Sequence, residues 1–247
     1  MILKDKTAII TGTSRGIGKS MVEVFAKEGA NVWACYRRKD EKLERYFLEL
    51  SEKYAVRIKP LIFDMENLVE MKEAIKNISV DKDWKVDVLV NNAGITLNSL
   101  FQMTTIEQWK KCFNVNVFAV VNLIQMVSKL MIKNKKGSIV NISSVAGIDG
   151  NSGRAAYGCS KASIICLTKV LSKEFANFGI RVNAIAPGLI QTEMLESMKK
   201  DFIEETLKQT CLKRVGDPNE ISNMAVFLAS ELSSYVTGQT IRVDGGF

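Results

Sequence analysis

Tyr157 and Lys161 stand four positions apart, so on a helix they share a face. A free tyrosine titrates near pH ~10, leaving about one phenolate in a thousand at neutral pH. A neighbouring ammonium favours the phenolate and lowers that value. The pair would then give and retake a proton. Reducing a carbonyl needs a hydride on carbon and a proton on oxygen. Tyr157 would supply that proton, while a hydroxyl from Ser143 or Ser144 hydrogen-bonds the same oxygen. Taken alone, YxxxK is a common pattern on solvated helix faces.

Other chemistries are excluded by composition. The 247 residues contain no histidine, so Ser-His-Asp and Cys-His nucleophile systems and HExxH zinc sites are ruled out. Acid–base work falls to carboxylates, Lys, Tyr or Cys. The five cysteines, Cys35, Cys112, Cys159, Cys166 and Cys211, form no CxxC pair. Neither a disulfide framework nor a metal site is expected from them.

A second cluster suits a phosphate. Thr11-Gly12-Thr13-Ser14-Arg15-Gly16-Ile17-Gly18 closes an apolar run and opens an amphipathic one. Glycines allow a tight turn and close backbone approach, and a helix start offers free N–H groups to a pyrophosphate. The spacing is GxxxGxG rather than the GxGxxG dinucleotide fingerprint, and an ordinary strand-to-helix turn is the alternative. In folds of this kind an acidic residue about 20 positions on receives the ribose 2′-hydroxyl of NAD. Here that count reaches Arg37 and Arg38. Guanidinium groups pair with the 2′-phosphate of NADPH, and Arg15 could form the other side of the clamp. Asp40 and Glu41 lie close by and leave a ribose contact open.

These groups need a scaffold that gathers them. Short β-rich runs are expected at Lys6–Thr11, Asn31–Tyr36, Arg57–Phe63, Val86–Val90, Gly137–Ile142, Arg181–Ala186 and Thr240–Val243. Helical patterns fall between them at Ile17–Glu28, Glu41–Tyr54, Leu68–Ile78, Thr105–Lys133, Arg154–Asn177, Met194–Gln209 and Asn219–Ala229. Runs such as VDVLV and GSIVNI suit a parallel sheet covered on both faces. With only three prolines and no linker-like tract, the chain reads as one α/β domain over residues 1–247. That domain is doubly wound, with a seven-stranded parallel sheet and helices on both faces. Ligands of open parallel sheets bind beyond the carboxyl ends of the strands. The segments there are Asn91-Asn92-Ala93-Gly94, Ser143-Ser144 and Pro187-Gly188.

The most apolar stretch, Val115–Val127, is broken by Asn116, Asn122 and Gln125, short of the roughly 18 apolar residues of a membrane span. The N-terminus carries no signal-peptide pattern, so a cytoplasmic location with no membrane partner is expected. A net charge of +7 reads as a basic surface or attraction to an anionic ligand. No Lys/Arg block or recognition motif points to nucleic acid.

Together these motifs resemble the short-chain dehydrogenase/reductase family over essentially the whole chain. TGTSRGIG at 11–18 is similar to the family's cofactor glycine motif and NNAG at 91–94 to its second signature. Ser144 precedes Tyr157 at the family spacing, YGCSK at 157–161 matches YxxxK, and IAPGLIQTEM at 185–194 resembles the segment over the nicotinamide. The resemblance implies a Rossmann fold, NADP(H) and a catalytic set of Asn116, Ser144, Tyr157 and Lys161. Asn116, preferred to Asn114, would kink its helix and hold a water in a proton relay. The implied cofactor contacts are Gly12, Ser14, Arg15, Gly16, Ile17 and Gly18 at the glycine turn and Arg37 and Arg38 at the 2′-phosphate. Asp64 and Met65 would meet the adenine, and Asn91, Ala93 and Gly94 the adenosine ribose. Tyr157, Lys161, Pro187, Gly188, Ile190 and Thr192 would lie along the nicotinamide side.

Within the family, the runs NFGIRVNAIAPGLIQTEM and SSYVTGQTIRVDGG most resemble bacterial reductases of 3-oxoacyl thioesters. The implied partner is acyl carrier protein, and the implied assembly is a homotetramer packed through Thr105–Lys133 and Arg154–Asn177. One departure concerns docking. Ile132–Gly137 keeps a basic character, but Phe178 stands where those reductases carry an Arg. A lid over about 188–212 holds Met194, Leu195, Met198 and Phe202. It is compatible with an acyl chain and with a sugar, polyol or secondary-metabolite ketone. A catalytically silent NADP-binding regulator is the remaining alternative.

Overall fold

The computed structural model describes residues 1–80, 85–196 and 200–247. Seven strands form one sheet: β1 (Thr7–Thr11), β2 (Asn31–Tyr36), β3 (Ile58–Ile62), β4 (Val88–Asn91), β5 (Gly137–Ile142), β6 (Ile180–Pro187) and β7 (Thr240–Val243). Their spatial order is β3-β2-β1-β4-β5-β6-β7, and every neighbouring pair is parallel. The chain winds outward from β1 to β3, then crosses back to β4 on the other side of β1. The β1/β4 boundary is therefore the topological switch point, where a crevice opens at the strand ends.

Strand alternation divides the apolar residues between two layers. Ala8, Ile10, Val32, Ala34, Val88 and Val90 face α1 (Gly16–Lys27), α2 (Glu41–Tyr54) and α9 (Pro218–Ala229). Ile9, Trp33, Leu89 and Ile139 face α3 (Leu68–Val80), α5 (Ala119–Asn134) and α6 (Ala155–Glu174). The remaining helices are α4 (Ile106–Phe113), α7 (Glu193–Glu196) and α8 (Lys200–Gln209).

One helical pattern is interrupted where the resemblance implied a kink, at Asn116. Thr105–Lys133 is not uniformly α-helical, because a π-helical turn over Asn114–Phe118 separates α4 from α5. Asn116, whose side chain bonds outside this helix, lies within that turn, as described below. Within Met194–Gln209 the described residues are helical over Glu193–Glu196 (α7) and Lys200–Gln209 (α8), and Met198 lies outside them. The sequence also offered no membrane-length run, whereas Ile106–Asn134 is long and apolar enough by composition to cross a bilayer. Half of its most apolar window is buried, with α4 against α6 and α5 against α3, as in a core helix.

Candidate active site

A cavity of about 470 Å³ opens at the carboxyl ends of the strands. One side is the glycine turn. Thr13 donates its N–H and hydroxyl to the Cys35 carbonyl at 3.1 and 3.1 Å, stitching the turn to β2. A Cβ on Gly18 would lie 2.1 Å from the Gly12 carbonyl oxygen, and one on Gly12, at φ +71°, 2.9 Å from Ala93 Cα. Only glycine keeps the turn this tight. No side chain caps the first turn of α1, and no acidic residue sits there. Its N–H groups thus face the cavity, the arrangement a pyrophosphate requires. The residues present fit a dinucleotide.

Asn92 closes the turn from β4. Its Nδ2 donates to the Thr11 and Gly12 carbonyls at 2.9 and 3.2 Å, and its N–H donates to Thr11 Oγ1 at 3.0 Å. Sequence reasoning named Asn91 instead. Asn91 ends β4 with its side chain buried in the sheet, where Nδ2 donates to Asn141 Oδ1 at 2.8 Å. It does not line the cavity. Asn141 Nδ2 in turn donates to Thr168 Oγ1 at 2.9 Å, so Asn91 belongs to a buried ladder that ties β4, β5 and α6 together.

Beyond β2, Arg37 lines the cavity and Arg38 does not, since successive side chains past a strand end diverge. Arg15, Ser14, Gly16, Ile17, Asp64, Met65, Ala93, Gly94, Pro187, Gly188, Ile190 and Thr192 all line it. Leu195 from the lid lines it too.

On the far wall Ser144, Tyr157 and Lys161 meet. Ser143 turns inward and donates to the Lys161 carbonyl at 2.9 Å. Ser144 faces the cavity and hydrogen-bonds the Tyr157 phenol. Both serines line the cavity, and they differ in that the Ser143 hydroxyl is taken up by the Lys161 carbonyl. Burial pushes the phenol above the ordinary tyrosine value, against the Ser144 hydrogen bond and the positive charge of Arg154. Lys161 was expected to lower it. Lys161 Nζ instead donates to the Ile142 carbonyl at 2.8 Å, and burial brings its own pKa from 10.5 to about 8.

Asn116 stands behind this wall and outside the cavity lining. Its Oδ1 accepts the Ile95 N–H at 2.9 Å, and its Nδ2 donates to the Ile95 carbonyl at 2.9 Å and Ser160 Oγ at 3.0 Å. Ser160 donates to the Tyr157 carbonyl at 2.7 Å. The buried amide therefore joins the segment after β4 to the helix that carries Tyr157. Asn114 is exposed. Turning Asn116 toward Ile95 and Ser160 coincides with the π turn, the kind of local widening found at functional sites.

Among the cavity residues that escaped sequence reasoning are Arg154 and Lys111, both cationic. Arg154, the N-cap of the same helix, stands three residues before Tyr157, so helical spacing (i, i+3 here, i, i+4 for Tyr157 and Lys161) would have found it.

A family model described as "Enoyl-(Acyl carrier protein) reductase" matches residues 12–247. A 3-oxoacyl-[acyl-carrier-protein] reductase of Thermotoga maritima is 44% identical over 246 residues, covering 100% of this chain and 99% of the relative. Among solved structures, a 3-oxoacyl-[acyl-carrier protein] reductase from Brucella melitensis superposes with TM-score 0.91 at 32% identity, covering 100% of this chain and 92% of that one. A putative gluconate dehydrogenase from Agrobacterium tumefaciens gives TM-score 0.92 at 32% identity, covering 99% and 96%.

Proposed function

The chain belongs to the short-chain dehydrogenase/reductase family, and on that premise we propose that it reduces 3-oxoacyl thioesters on acyl carrier protein to 3-hydroxyacyl thioesters with NADPH. The observation that carries this reading is the hydrogen-bonded Ser144–Tyr157 pair on the cavity wall. It is a device for an oxygen, which favours carbonyl over carbon–carbon double-bond reduction. The full-length likeness to the Thermotoga reductase then favours the 3-oxoacyl substrate.

NADPH, when bound, supplies the hydride. Tyr157 gives its proton to the C3 oxygen, and Ser144 holds that oxygen in place. Lys161 keeps its charge below pH about 8 and donates to the nicotinamide ribose. Asn116 holds Ile95 and Ser160 in register and thereby fixes the helix under Tyr157. The α1 N-terminus and its glycines take the pyrophosphate. Arg15 and Arg37 take the 2′-phosphate, Asp64 and Met65 the adenine, Ala93 and Gly94 the adenosine ribose, and Ile190 and Thr192 the carboxamide.

Carrier protein, an acidic partner, docks at Lys133, Lys135 and Lys136. Phe178 lies beside them, since a Cβ on Gly179 would come within 2.5 Å of the Lys135 carbonyl oxygen. With an aromatic there, docking rests on one basic arm. Exposed Phe101, Met103, Ile106 and Phe118 around α4 support self-association into a homotetramer. A cytoplasmic location accords with this role.

The test is NADPH oxidation with a 3-oxoacyl carrier-protein substrate. Fast turnover that prefers NADPH to NADH and falls about 10²- to 10⁴-fold in Tyr157→Phe supports the reading. No turnover with NADPH binding intact would shift it to a sugar or polyol substrate, the class to which the Agrobacterium neighbour's name points.

A further inference from the structure

Helix α6 begins with a charge that does not suit it. Arg154 occupies the N-cap and makes no side-chain cap. A cation at this end opposes the helix dipole, and Ser, Thr, Asp or Asn would serve better there. The backbone nevertheless holds Arg154 firmly. Its carbonyl accepts the Gly158 N–H at 2.7 Å, and its N–H donates to the Asn151 carbonyl at 3.1 Å. The preceding Gly153, at φ 72°, is pinned through its carbonyl to the Ser99 N–H at 2.8 Å. This framework delivers the guanidinium, half-buried, to the cavity wall.

There it flanks the proton donor. The guanidinium carbon is 5.8 Å from the centre of the Tyr157 ring, and Lys161 Nζ is 5.9 Å from the same centre. Two cations, one turn before and one turn after, bracket one phenol. They differ in kind. Lys161 is engaged by the Ile142 carbonyl at 2.8 Å, whereas a guanidinium keeps its charge at every accessible pH. The other groups against the phenol are Ser144, which hydrogen-bonds it, and Cys112 of α4. Burial pushes the Cys112 thiol up, so it carries no compensating charge at neutral pH. Lys111 lines the same cavity.

We propose that Arg154 is a positioning residue for proton transfer, its guanidinium holding the negative charge that develops on the Tyr157 oxygen beside Lys161. This rests on the reading of Tyr157 as proton donor. As the Tyr157 O–H bond breaks, the proton goes to the C3 oxygen and the bonding pair stays on the phenolate. The hydride from NADPH supplies the pair for the new C–H bond. Above pH about 8, where Lys161 loses its proton, Arg154 is left to hold that charge.

The experiment is the pH profile of 3-hydroxyacyl thioester oxidation by NADP⁺, in which Tyr157 acts as base. It is run for wild type, Arg154→Gln and Arg154→Lys. In parallel, tyrosinate absorbance is titrated in each free protein, with the matching Tyr157→Phe background subtracted. A unit charge this close to the ring, about 6 Å from its centre, is screened at the effective dielectric of a partly buried site and shifts the titration of the phenol by on the order of one to two pH units. Arg154→Gln should move both the low-pH rising limb, which reports the Tyr157 phenolate, and the absorbance midpoint upward by about that much. Arg154→Lys should restore most of the shift. Because the native cation opposes the helix dipole, Arg154→Gln should unfold no earlier than wild type.

A loss of rate at every pH with both midpoints within about 0.3 unit of wild type would mark a structural role and overturn the proposal. So would a lysine variant that behaves like glutamine. Failure of the underlying reading looks different, because Tyr157→Phe would then retain turnover. The absorbance titration needs no substrate, so an error in the 3-oxoacyl assignment leaves it intact.

Discussion

Replacing Asn116 by alanine tests how the site is held together. The amide makes three hydrogen bonds with oxygen and nitrogen partners at 2.9, 2.9 and 3.0 Å, two with the Ile95 backbone and one with Ser160, and a weak fourth to Cys112 Sγ at 3.4 Å. It is only 1% exposed, so water cannot readily replace them. At about 1 kcal/mol of net stability per bond, the loss is about 3 kcal/mol. For a chain of this size that lowers Tm by about 6–12 °C. Denaturant unfolding measures the free energy, and hydrogen exchange at the Ile95 amide reports the bond directly. Asn114→Ala, at an exposed position of the same turn, is the control and should stay within about 0.5 kcal/mol of wild type. Equal stability of the two variants, or an unchanged Ile95 exchange rate in Asn116→Ala, would refute the claim that this amide clamps the site.

Gly18→Ala places a Cβ 2.1 Å from the Gly12 carbonyl oxygen. Fluorescence titration should show NADPH binding lost, with stability reduced by about 1–3 kcal/mol. Arg37→Ala should raise the Kd for NADPH about 10- to 100-fold, the worth of a charge-assisted hydrogen bond, and leave that for NADH almost unchanged. Lys161 is held from 10.5 down to about 8 by burial, so the unfolded chain binds more protons between those values. Its penalty, about 3 kcal/mol, is full below pH 8 and gone above 10.5. Lys161→Met should therefore abolish turnover yet raise Tm at pH 7 by more than at pH 10, as paired thermal melts would reveal.

Much of this architecture was legible from pattern alone. The strands are short, β-branched and flanked by polar turns, so their period and position survive translation into a sheet. The catalytic tyrosine, lysine and serine were legible because helical spacing and the strand-end rule bring them together. Choosing between Asn91 and Asn92 was not, since it depends on which side chain the buried Asn141 claims as a partner. Arg37 and Arg38 stand equally well in the sequence, and only the direction of the chain past β2 separates them. Interruption of the long helix at Asn116 leaves no mark in hydrophobic periodicity, because the side chain's partners lie in a segment distant in the chain. The phenol's environment was misjudged for a related reason. Spacing shows that Lys161 is near, but not that it is turned toward the Ile142 carbonyl.

The segment after β6 is fastened at both ends by main-chain bonds. At its start Gln191 N–H donates to the Gly216 carbonyl at 2.9 Å, and Gly216 N–H donates to the Leu189 carbonyl at 2.9 Å. At its end Cys211 and Leu212 N–H groups donate to the Gly246 and Gly245 carbonyls at 3.2 and 3.0 Å. None of these fastenings reads a side chain, so residues between them other than cavity-lining ones such as Thr192 can change while its two ends stay where they are. A protein built this way keeps one reaction and exchanges its clientele. New substrates are reached by redrafting a stretch of about 20 residues, with the proton donor and the glycine turn left untouched.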